Sequence, residues 1–213
     1  MLVTIEGIDG TGKSTLIEGL KIELADLSPV FTREPGSSWV GEAVRRGIKE
    51  EINPIAEALL FVADHAVHVN TVIKPALREN KLVISDRYSD SRYVYQSKTL
   101  KGHIADPVKW LKDMQREWTV VPDITFLLVL PVEESLHRIN AERESTEHFE
   151  SENVLSEVQA NYLKIAEEEP KRFVMVDAKK DRDEIVKFVA SVIRAKMHTG
   201  KGTGKNTTKV QTI

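Results

Sequence analysis

A glycine-rich segment near the start of the chain, EGIDGTGKST at 6–15, constrains the fold more than any other feature. Gly7 and Gly12 enclose four residues, and Lys13 and Ser14 follow, which completes the G-x-x-x-x-G-K-[ST] pattern of a phosphate-binding loop. Such a loop acts between a β-strand and a helix, where successive backbone N–H groups point at the phosphates. Strand-like LVTIE precedes it and a helical spacing of leucines follows it. The segment therefore predicts a nucleotide site.

Three side chains of this loop have separate chemical tasks. Lys13 would reach the outer phosphates as a point charge, and Ser14 would ligate the Mg²⁺ that bridges them. Asp9 brings a negative charge to a phosphate site, so it needs another task, such as a hydrogen bond to a sugar hydroxyl or a metal-bound water. A turn-forming Asp that bonds its own backbone is the equal alternative. The candidate nucleotide-binding residues are Gly7, Ile8, Asp9, Gly10, Thr11, Gly12, Lys13, Ser14 and Thr15.

Apolar strand-like runs alternate with helical patterns along the rest of the chain. The predicted strands are LVTIE, VFTRE, KLVISD, DITFLLVL and RFVMVD. This alternation favours an α/β fold in which helices cover both faces of a parallel sheet, and ligands then bind at the carboxyl ends of the strands. We expect one domain over 1–198. The Gly-, Thr- and Lys-rich segment 199–213 has no periodicity, and we expect a disordered tail there.

Bulk composition excludes several classes of protein. The 213 residues include no cysteine, which excludes a disulfide framework, a thiolate metal site and a cysteine nucleophile. The formal charge of −3 gives no sign of a nucleic-acid partner. No apolar run approaches the ~20 residues of a membrane span, and no basic region precedes an apolar stretch at the start. We therefore expect a cytoplasmic protein with no membrane partner.

Two further motifs follow predicted strands. In TREPGSS at 32–38, Arg33 and Glu34 stand where a strand end meets a ligand, although a surface ion pair is the alternative. In DRYSDSRYVYQ at 86–96, Asp86 is placed to hold Mg²⁺, and Arg87 to clamp an acceptor phosphate with two hydrogen bonds. A helix-capping Asp beside an unrelated Arg is the alternative there. Within the next turns, groups that suit a sugar or a base edge are Ser91, Tyr95 and Gln96.

Two helical stretches carry further polar groups. In the segment that begins at Pro54, one face carries Phe61, Asp64, His65 and His68, which suits the wall of a pocket better than a core. Two histidines without a third ligand are weak support for a metal site. In the polar stretch HRINAERESTEHFE, the arginines are either solvated or able to close over phosphates as a lid at about 138–152. These lid candidates are Arg138 and Arg143.

EGIDGTGKST, TREPGSS, EALLFVADHAVHVNTVIKPAL and DRYSDSRYVYQ, in that order, resemble the blocks of thymidylate kinases. The resemblance spans residues 6–96, and VDAKK near 177 is a weaker match to the adenine-side loop. It implies a nucleoside monophosphate kinase fold with a five-stranded parallel sheet and a short lid. It also implies Mg²⁺-dependent transfer of the ATP γ-phosphoryl group to dTMP, which gives dTDP and ADP, and a homodimer formed through helices.

The resemblance also implies roles for individual residues. Arg87 holds the acceptor phosphate with help from Arg45, and Asp9 lies near the deoxyribose and that phosphate. Phe61 stacks on thymine, while Gln96 reads the base edge. The implied catalytic residues are Lys13, Arg87, Asp9, Arg143 and Arg138, with Ser14 and Asp86 for the metal. The implied substrate-binding residues are Asp9, Glu34, Pro35, Arg45, Phe61, His65, Arg87, Ser91, Tyr95 and Gln96.

The chain departs from the family pattern at two places. The helix motif is usually F-x-x-x-R, whereas Phe61 is followed here by His65, which is shorter and mostly uncharged near neutral pH. Since the usual arginine donates to a thymine carbonyl, we expect looser discrimination among pyrimidine monophosphates. In the phosphate loop, Gly10 and Thr11 supply no charge, so the catalytic arginine is expected in the lid.

Other functions stay open at this point. A second enzyme class is another nucleotide or deoxynucleoside kinase with a phosphate-binding loop, against which TREPG and the spacing of Ser91 and Gln96 argue. A different class is a nucleotide-dependent switch or assembly protein. A GTPase of that class needs N-K-x-D, and the only similar segment, at 80–83, ends in Val83. Turnover would separate these proteins, and a catalytically silent binding module, from a kinase.

Overall fold

The computed structural model of the chain describes residues 1–142 and 151–199. In this part, five parallel strands form one sheet in the order β2-β3-β1-β4-β5, with helices on both faces. The α/β fold and the parallel sheet are therefore confirmed. The strands are β1 (Leu2–Glu6), β2 (Val30–Arg33), β3 (Val83–Asp86), β4 (Ile124–Val129) and β5 (Phe173–Asp177).

The helices lie between consecutive strands, and the last one follows the final strand. They are α1 (Lys13–Glu23), α2 (Trp39–Lys49), α3 (Pro54–His68), α4 (Lys74–Arg78), α5 (Ser89–Thr99), α6 (Pro107–Gln115), α7 (Val132–Glu142), α8 (Glu152–Glu168) and α9 (Arg182–Thr199). No helix of the described residues is long and apolar enough to cross a membrane. The predicted tail from 200 onward and lid residues 143–150 lie outside the described residues.

Apolar side chains bury both faces of the sheet. On one face, α1 and α9 pack through Leu20 and Val189, which are fully buried against β-strand residues such as Ile5. On the other face, α5 and α8 pack through Val94 and Leu155. The central strand β1 is buried along its whole length. The carboxyl ends of β1, β2 and β3 therefore open at one edge of a rigid layer, where the predicted motifs follow them.

Local structure sets the ends of several helices. α1 ends at Glu23, and a short 3₁₀ turn, Ala25–Leu27, completes the segment. α2 begins at Trp39, since the Ser38 hydroxyl accepts a hydrogen bond from the Gly41 N–H at 3.2 Å. A π-helical turn, Val69–Ile73, connects α3 to α4 and ends two residues before Pro75.

Candidate active site

Two cavities open at the carboxyl edge of the sheet. The larger, which we call the P-loop cleft, has a volume of about 670 Å³ and is lined by 9–16 of the glycine-rich loop and by residues from the ends of β2, β3 and β5. The smaller, which we call the base cavity, has a volume of about 120 Å³ and lies between α3 and α5. Both cavities share the walls Asp9, Glu34, Pro35 and Arg87. The structure thus offers two neighbouring binding spaces with a common border.

The glycine-rich loop needs glycine at two places for steric reasons. Gly7 has φ +142°, and a Cβ there would lie 2.6 Å from the Leu128 carbonyl oxygen. Gly10 has φ +77°, and a Cβ there would lie 2.5 Å from the Ser135 carbonyl oxygen. The Ser135 hydroxyl in turn donates to the Asp9 carbonyl oxygen at 2.5 Å, which fixes the loop against α7. The loop is therefore closely packed from behind, as a phosphate cradle requires.

Lys13 lies at the start of α1 and points back across the loop. Its Nζ donates to the Ile8 carbonyl oxygen at 2.8 Å, and Thr11 Oγ1 donates to the same oxygen at 2.8 Å. Burial lowers the pKa of Lys13 to about 8, and the neighbouring Arg87 charge acts in the same direction. A phosphate group beside this buried ammonium group would stabilise its charged form. The placement matches the predicted role of Lys13.

Asp9 and Arg87 form the centre of the shared wall. Arg87 Nη2 donates to Asp9 Oδ1 at 2.6 Å, and the Tyr95 hydroxyl donates to Asp9 Oδ2 at 3.0 Å. Burial alone would raise the pKa of Asp9, but the charges of Arg87 and Lys13 outweigh it and hold that pKa below its usual value. Arg87 has φ +64°, a conformation that costs a non-glycine residue energy and is concentrated at functional sites. Asp9 is therefore held by Arg87 and Tyr95, a contact that neither interpretation from the sequence had named.

The oxygen groups of Asp86, at the end of β3, and of Ser14, on α1, fit a hard cation. Asp86 and Ser14 both line the P-loop cleft, and Asp86 Oδ1 is buried without a hydrogen-bond partner among the described residues. A carboxylate oxygen buried in this way is costly unless a ligand completes it, and Mg²⁺ accepts carboxylate and hydroxyl oxygens beside phosphates. The residues present therefore fit the predicted metal position. No cluster of three or more His, Cys or acidic groups suited to a metal occurs in the described ranges.

The loop after β2 is held by α2 and α3. Asp64 Oδ2 accepts from the Gly36 N–H at 2.8 Å, and Arg45 Nη1 donates to the Gly36 carbonyl oxygen at 2.8 Å. The Glu34–Pro35 peptide bond is cis. Arg45 is exposed and lines the P-loop cleft together with Pro35. Glu34 and Pro35, which were predicted to bind the acceptor nucleotide, therefore lie beside Arg87 at the border of the two cavities.

His65 is placed differently from the sequence prediction. It is fully buried and lines neither cavity. Its Nδ1 donates to Glu34 Oε1 at 2.6 Å, and its Nε2 lies 2.7 Å from the Thr119 hydroxyl. His68 Nδ1 donates to the same Glu34 oxygen at 2.8 Å. The polar face of α3 is therefore a support for Glu34 and the loop behind the cavity wall, while Phe61 alone of that face lines the base cavity.

The base cavity contains three of the predicted residues on α5 and several that sequence reasoning missed. Ser91, Tyr95 and Gln96 line it as expected. Ser91 Oγ donates to Glu6 Oε2 at 2.6 Å, which ties α5 to the central strand. The side chains that were not predicted are Ile48, Tyr88 and Arg92. A signal for Arg92 was present, because it lies four residues before Gln96 and shares one face of α5 with it.

One of the two arginines predicted for the lid lies in the described part of the chain. Arg138 on α7 lines the P-loop cleft and forms an ion pair with Glu134 at 2.7 Å. Arg143 lies outside the described residues. Two basic residues that follow β5, Lys180 and Arg182, also line the cleft and were not predicted as site residues, although VDAKK had indicated the segment.

Comparison with known proteins agrees with this geometry. The family model described as Thymidylate kinase matches residues 5–189. A relative from Methanoculleus marisnigri, described as "Probable thymidylate kinase", is 56% identical over 195 residues, which cover 92% of this chain and 95% of that protein. Relatives with the same description from Methanocorpusculum labreanum and Natronomonas pharaonis are 53% and 41% identical, over 92% and 91% of this chain and 98% and 97% of those proteins. The chain therefore belongs to the thymidylate kinase family of nucleoside monophosphate kinases.

Proposed function

We propose that this protein transfers the γ-phosphoryl group of ATP to dTMP and releases dTDP and ADP. The observation that carries the proposal is the common border of the two cavities. A phosphate cradle forms one side, an aromatic and amide-lined cavity forms the other, and Asp9 and Arg87 stand between them. A donor in the P-loop cleft and an acceptor in the base cavity would present their phosphates to each other at this border.

Positioning and charge neutralisation carry the reaction in this scheme. The acceptor phosphate oxygen is already ionised, so no general base is assigned. Arg87 and Arg45 hold the acceptor phosphate, and Lys13 neutralises charge on the transferring group. Ser14 and Asp86 would hold Mg²⁺, which would supply positive charge to neutralise the phosphate groups. Tyr95 and Asp9 keep the Arg87 guanidinium in place while the acceptor binds.

A lid arginine completes the charge neutralisation. Arg138 is supported by its place in the wall of the P-loop cleft, and Arg143 is the second candidate. Replacement of the acting arginine by alanine should reduce kcat far more than it changes the KM for dTMP, because the contact forms mainly in the transition state. Unchanged kcat in both Arg138→Ala and Arg143→Ala would refute the lid assignment.

The expected relaxed selectivity among pyrimidine monophosphates is kept in a narrower form, as similar use of dTMP and dUMP. His65 stands where the family usually has arginine, and its burial behind Glu34 is compatible with the absence of a direct contact from this position to the base. Wild type should then use dUMP with a kcat/KM close to that for dTMP. A strong preference for dTMP over dUMP would contradict this part.

A homodimer of single-domain subunits, formed through α3 and its neighbour α2, completes the proposal. Trp39 on α2 is 77% exposed and Leu59 on α3 is 46% exposed. Large apolar side chains exposed on adjacent helices are typical of an interface. Sedimentation of wild type against Leu59→Glu would test it, since a charged group at a dimer interface should increase the monomer fraction.

The test of the activity is steady-state ADP formation with Mg-ATP and a panel of acceptors: dTMP, dUMP, UMP, dCMP, dGMP and thymidine. We expect dTMP to give the highest kcat/KM and thymidine to give none, since Arg87 needs a phosphate to hold. Turnover with thymidine, or equal ADP formation without acceptor, would overturn the proposal in favour of a nucleoside kinase or an NTPase.

A further inference from the structure

Arg92 is the largest side chain among those that the described residues bury almost completely, and none of the proposed reaction steps uses it. It belongs to α5, is 2% exposed, and lines the base cavity beside Phe61 and Gln96. A buried arginine costs desolvation energy, so it persists only with partners that hold its charge. Its position in a ligand cavity raises the question of what the guanidinium group would bind there.

The protein fixes this guanidinium group from two sides. Arg92 Nη1 donates to Glu34 Oε2 at 2.6 Å, and Nη2 donates to Gln115 Oε1 at 2.6 Å. The other carboxylate oxygen of Glu34 accepts from His65 and His68. Burial alone would raise the pKa of Glu34, but His65 and Arg92 outweigh it and keep that pKa low, so the carboxylate remains charged. The plane of the guanidinium group is therefore set by Glu34 and Gln115, and the two histidines of α3 hold Glu34 in turn.

Hydrogen-bonding capacity remains on Arg92 after these contacts. A guanidinium group carries five N–H donors and no acceptor. Arg92 lies one helical turn before Gln96 on α5, and both line the cavity together with Tyr88. Its Nε is buried and has no hydrogen-bond partner among the described residues. An unpaired buried donor is unfavourable, and a ligand acceptor that enters the cavity would relieve the cost directly or through a small shift of the group.

We propose that Arg92 recognises the 4-carbonyl oxygen of the pyrimidine base in the base cavity, and so selects thymine and uracil over cytosine. The inference rests on the proposed dTMP kinase function. Thymine and uracil present an acceptor at position 4, whereas cytosine presents an amino group that only donates. A fixed guanidinium group, which carries only donors, can donate to the carbonyl oxygen of thymine or uracil. Opposite cytosine, its N–H group would face the donating amino group, and no hydrogen bond would form. Sites built in this way reject the wrong partner strongly, because buried polar groups are left unpaired.

The test compares kcat/KM for dTMP, dUMP and dCMP in wild type and Arg92→Met. We expect a loss of about 100-fold for dTMP and dUMP, the size expected for one charged hydrogen bond in a buried site, and little change for dCMP. The dTMP:dCMP ratio should therefore collapse by about the same factor. Arg172→Met is the matched control, because Arg172 forms a largely buried ion pair with Asp90 at 2.6 Å but lines neither cavity. The dTMP:dCMP ratio of Arg172→Met should equal that of wild type.

Arg92→Lys keeps a cation opposite Glu34 and serves if the methionine variant does not fold. It loses the planar fork, so its dTMP:dCMP ratio should fall at least about tenfold. An unchanged dTMP:dCMP ratio of kcat/KM in either folded variant would overturn the inference. The proposed function would still stand as long as wild type turns over dTMP. Absence of dTMP turnover by wild type would instead overturn the proposed function, and the inference with it.

Discussion

At the scale of single residues, the site depends on charged side chains that hold one another in fixed positions. Arg87 is held by Asp9 and by the Ser91 hydroxyl, to which its Nη1 donates at 3.1 Å. Its backbone has φ +64°, so the fold tolerates local strain to aim the side chain at the border of the two cavities. An arginine held in this way can orient a bound phosphate as well as balance its charge.

Replacement of Arg87 by lysine should therefore be nearly as damaging as its removal. We expect Arg87→Ala to lower kcat/KM for dTMP by about 100-fold or more, and Arg87→Lys to recover only a small part, because lysine lacks the planar fork. Arg194→Ala is the control, since Arg194 forms a comparable fork with Asp26 on the exposed surface of α9. Steady-state kinetics of the three variants measure this. Full activity of Arg87→Lys would contradict the assignment.

Buried histidine gives a second prediction at this scale. Burial, followed by the Arg92 charge, lowers the pKa of His65 to about 4 from its ordinary value of 6.5. Between these values the unfolded chain binds a proton that the folded protein does not, so the free energy of unfolding falls as the pH falls from 6.5 to 4. The slope for one proton is about 1.4 kcal/mol per pH unit.

His65→Gln should make the stability of the protein less dependent on pH across this window. Denaturant unfolding at pH 4.5 and 6.5 measures the difference, and exposed His198, replaced by Gln, is the control. A slope for His65→Gln that is parallel to that of wild type would show that this histidine does not titrate as the structure indicates.

At the scale of elements, the glycine-rich loop and α7 act as one unit. Gly10 packs against the Ser135 backbone, and the same helix carries Arg138 to the P-loop cleft. A displacement of the loop would therefore disturb the phosphate cradle and the proposed lid arginine, Arg138, together.

Gly10→Ala and Gly102→Ala separate steric contact from backbone strain. Both glycines have a similar φ, +77° and +87°, but a Cβ at Gly102 meets nothing within 4 Å. We expect Gly102→Ala to cost about 1 kcal/mol of stability and to leave kcat/KM unchanged. Gly10→Ala should also reduce kcat/KM for ATP by about 100-fold, because the phosphate groups lose their alignment. Equal kinetics in the two variants would exclude the proposed coupling.

The sequence predicted elements and motifs better than it predicted partners. The P-loop, the five strands and the placement of Asp9 beside Arg87 follow from local patterns, since motifs after parallel strands must meet at one edge. The role of His65 did not follow, because the helix period shows which side chains share a face but not whether that face meets a ligand or another loop. Arg92 shares a face with Gln96 and was still missed, since a single arginine in a polar segment resembles a solvated residue until its burial is known.

At the scale of the whole molecule, the two cavities and their common border predict binding of both substrates at once. Residues 9–16 line one cavity, α3 and α5 line the other, and Asp9, Glu34, Pro35 and Arg87 belong to both. A ligand that spans the border would use both sets of contacts without the entropic cost of a second association.

An adenosine and a thymidine joined through a pentaphosphate should therefore stabilise the protein more than ATP and dTMP together at equal concentrations. The increase in Tm reports this, because a ligand that binds only the folded state stabilises it in proportion to the logarithm of its concentration over Kd. The corresponding compound with two adenosines is the control and should give a smaller shift. Equal shifts would mean that the base cavity does not distinguish the acceptor.

The central claim is that the two cavities hold a donor and an acceptor for direct phosphoryl transfer. The most direct measurement follows the label from ATP that is radioactive at the γ-phosphate, with dTMP present, in wild type and in Lys13→Ala. The account predicts that wild type places the label in the β-phosphate of dTDP, in an amount equal to the ADP formed, and that the variant loses this transfer. Label that appears as inorganic phosphate, with or without dTMP, would contradict it and identify the protein as an NTPase.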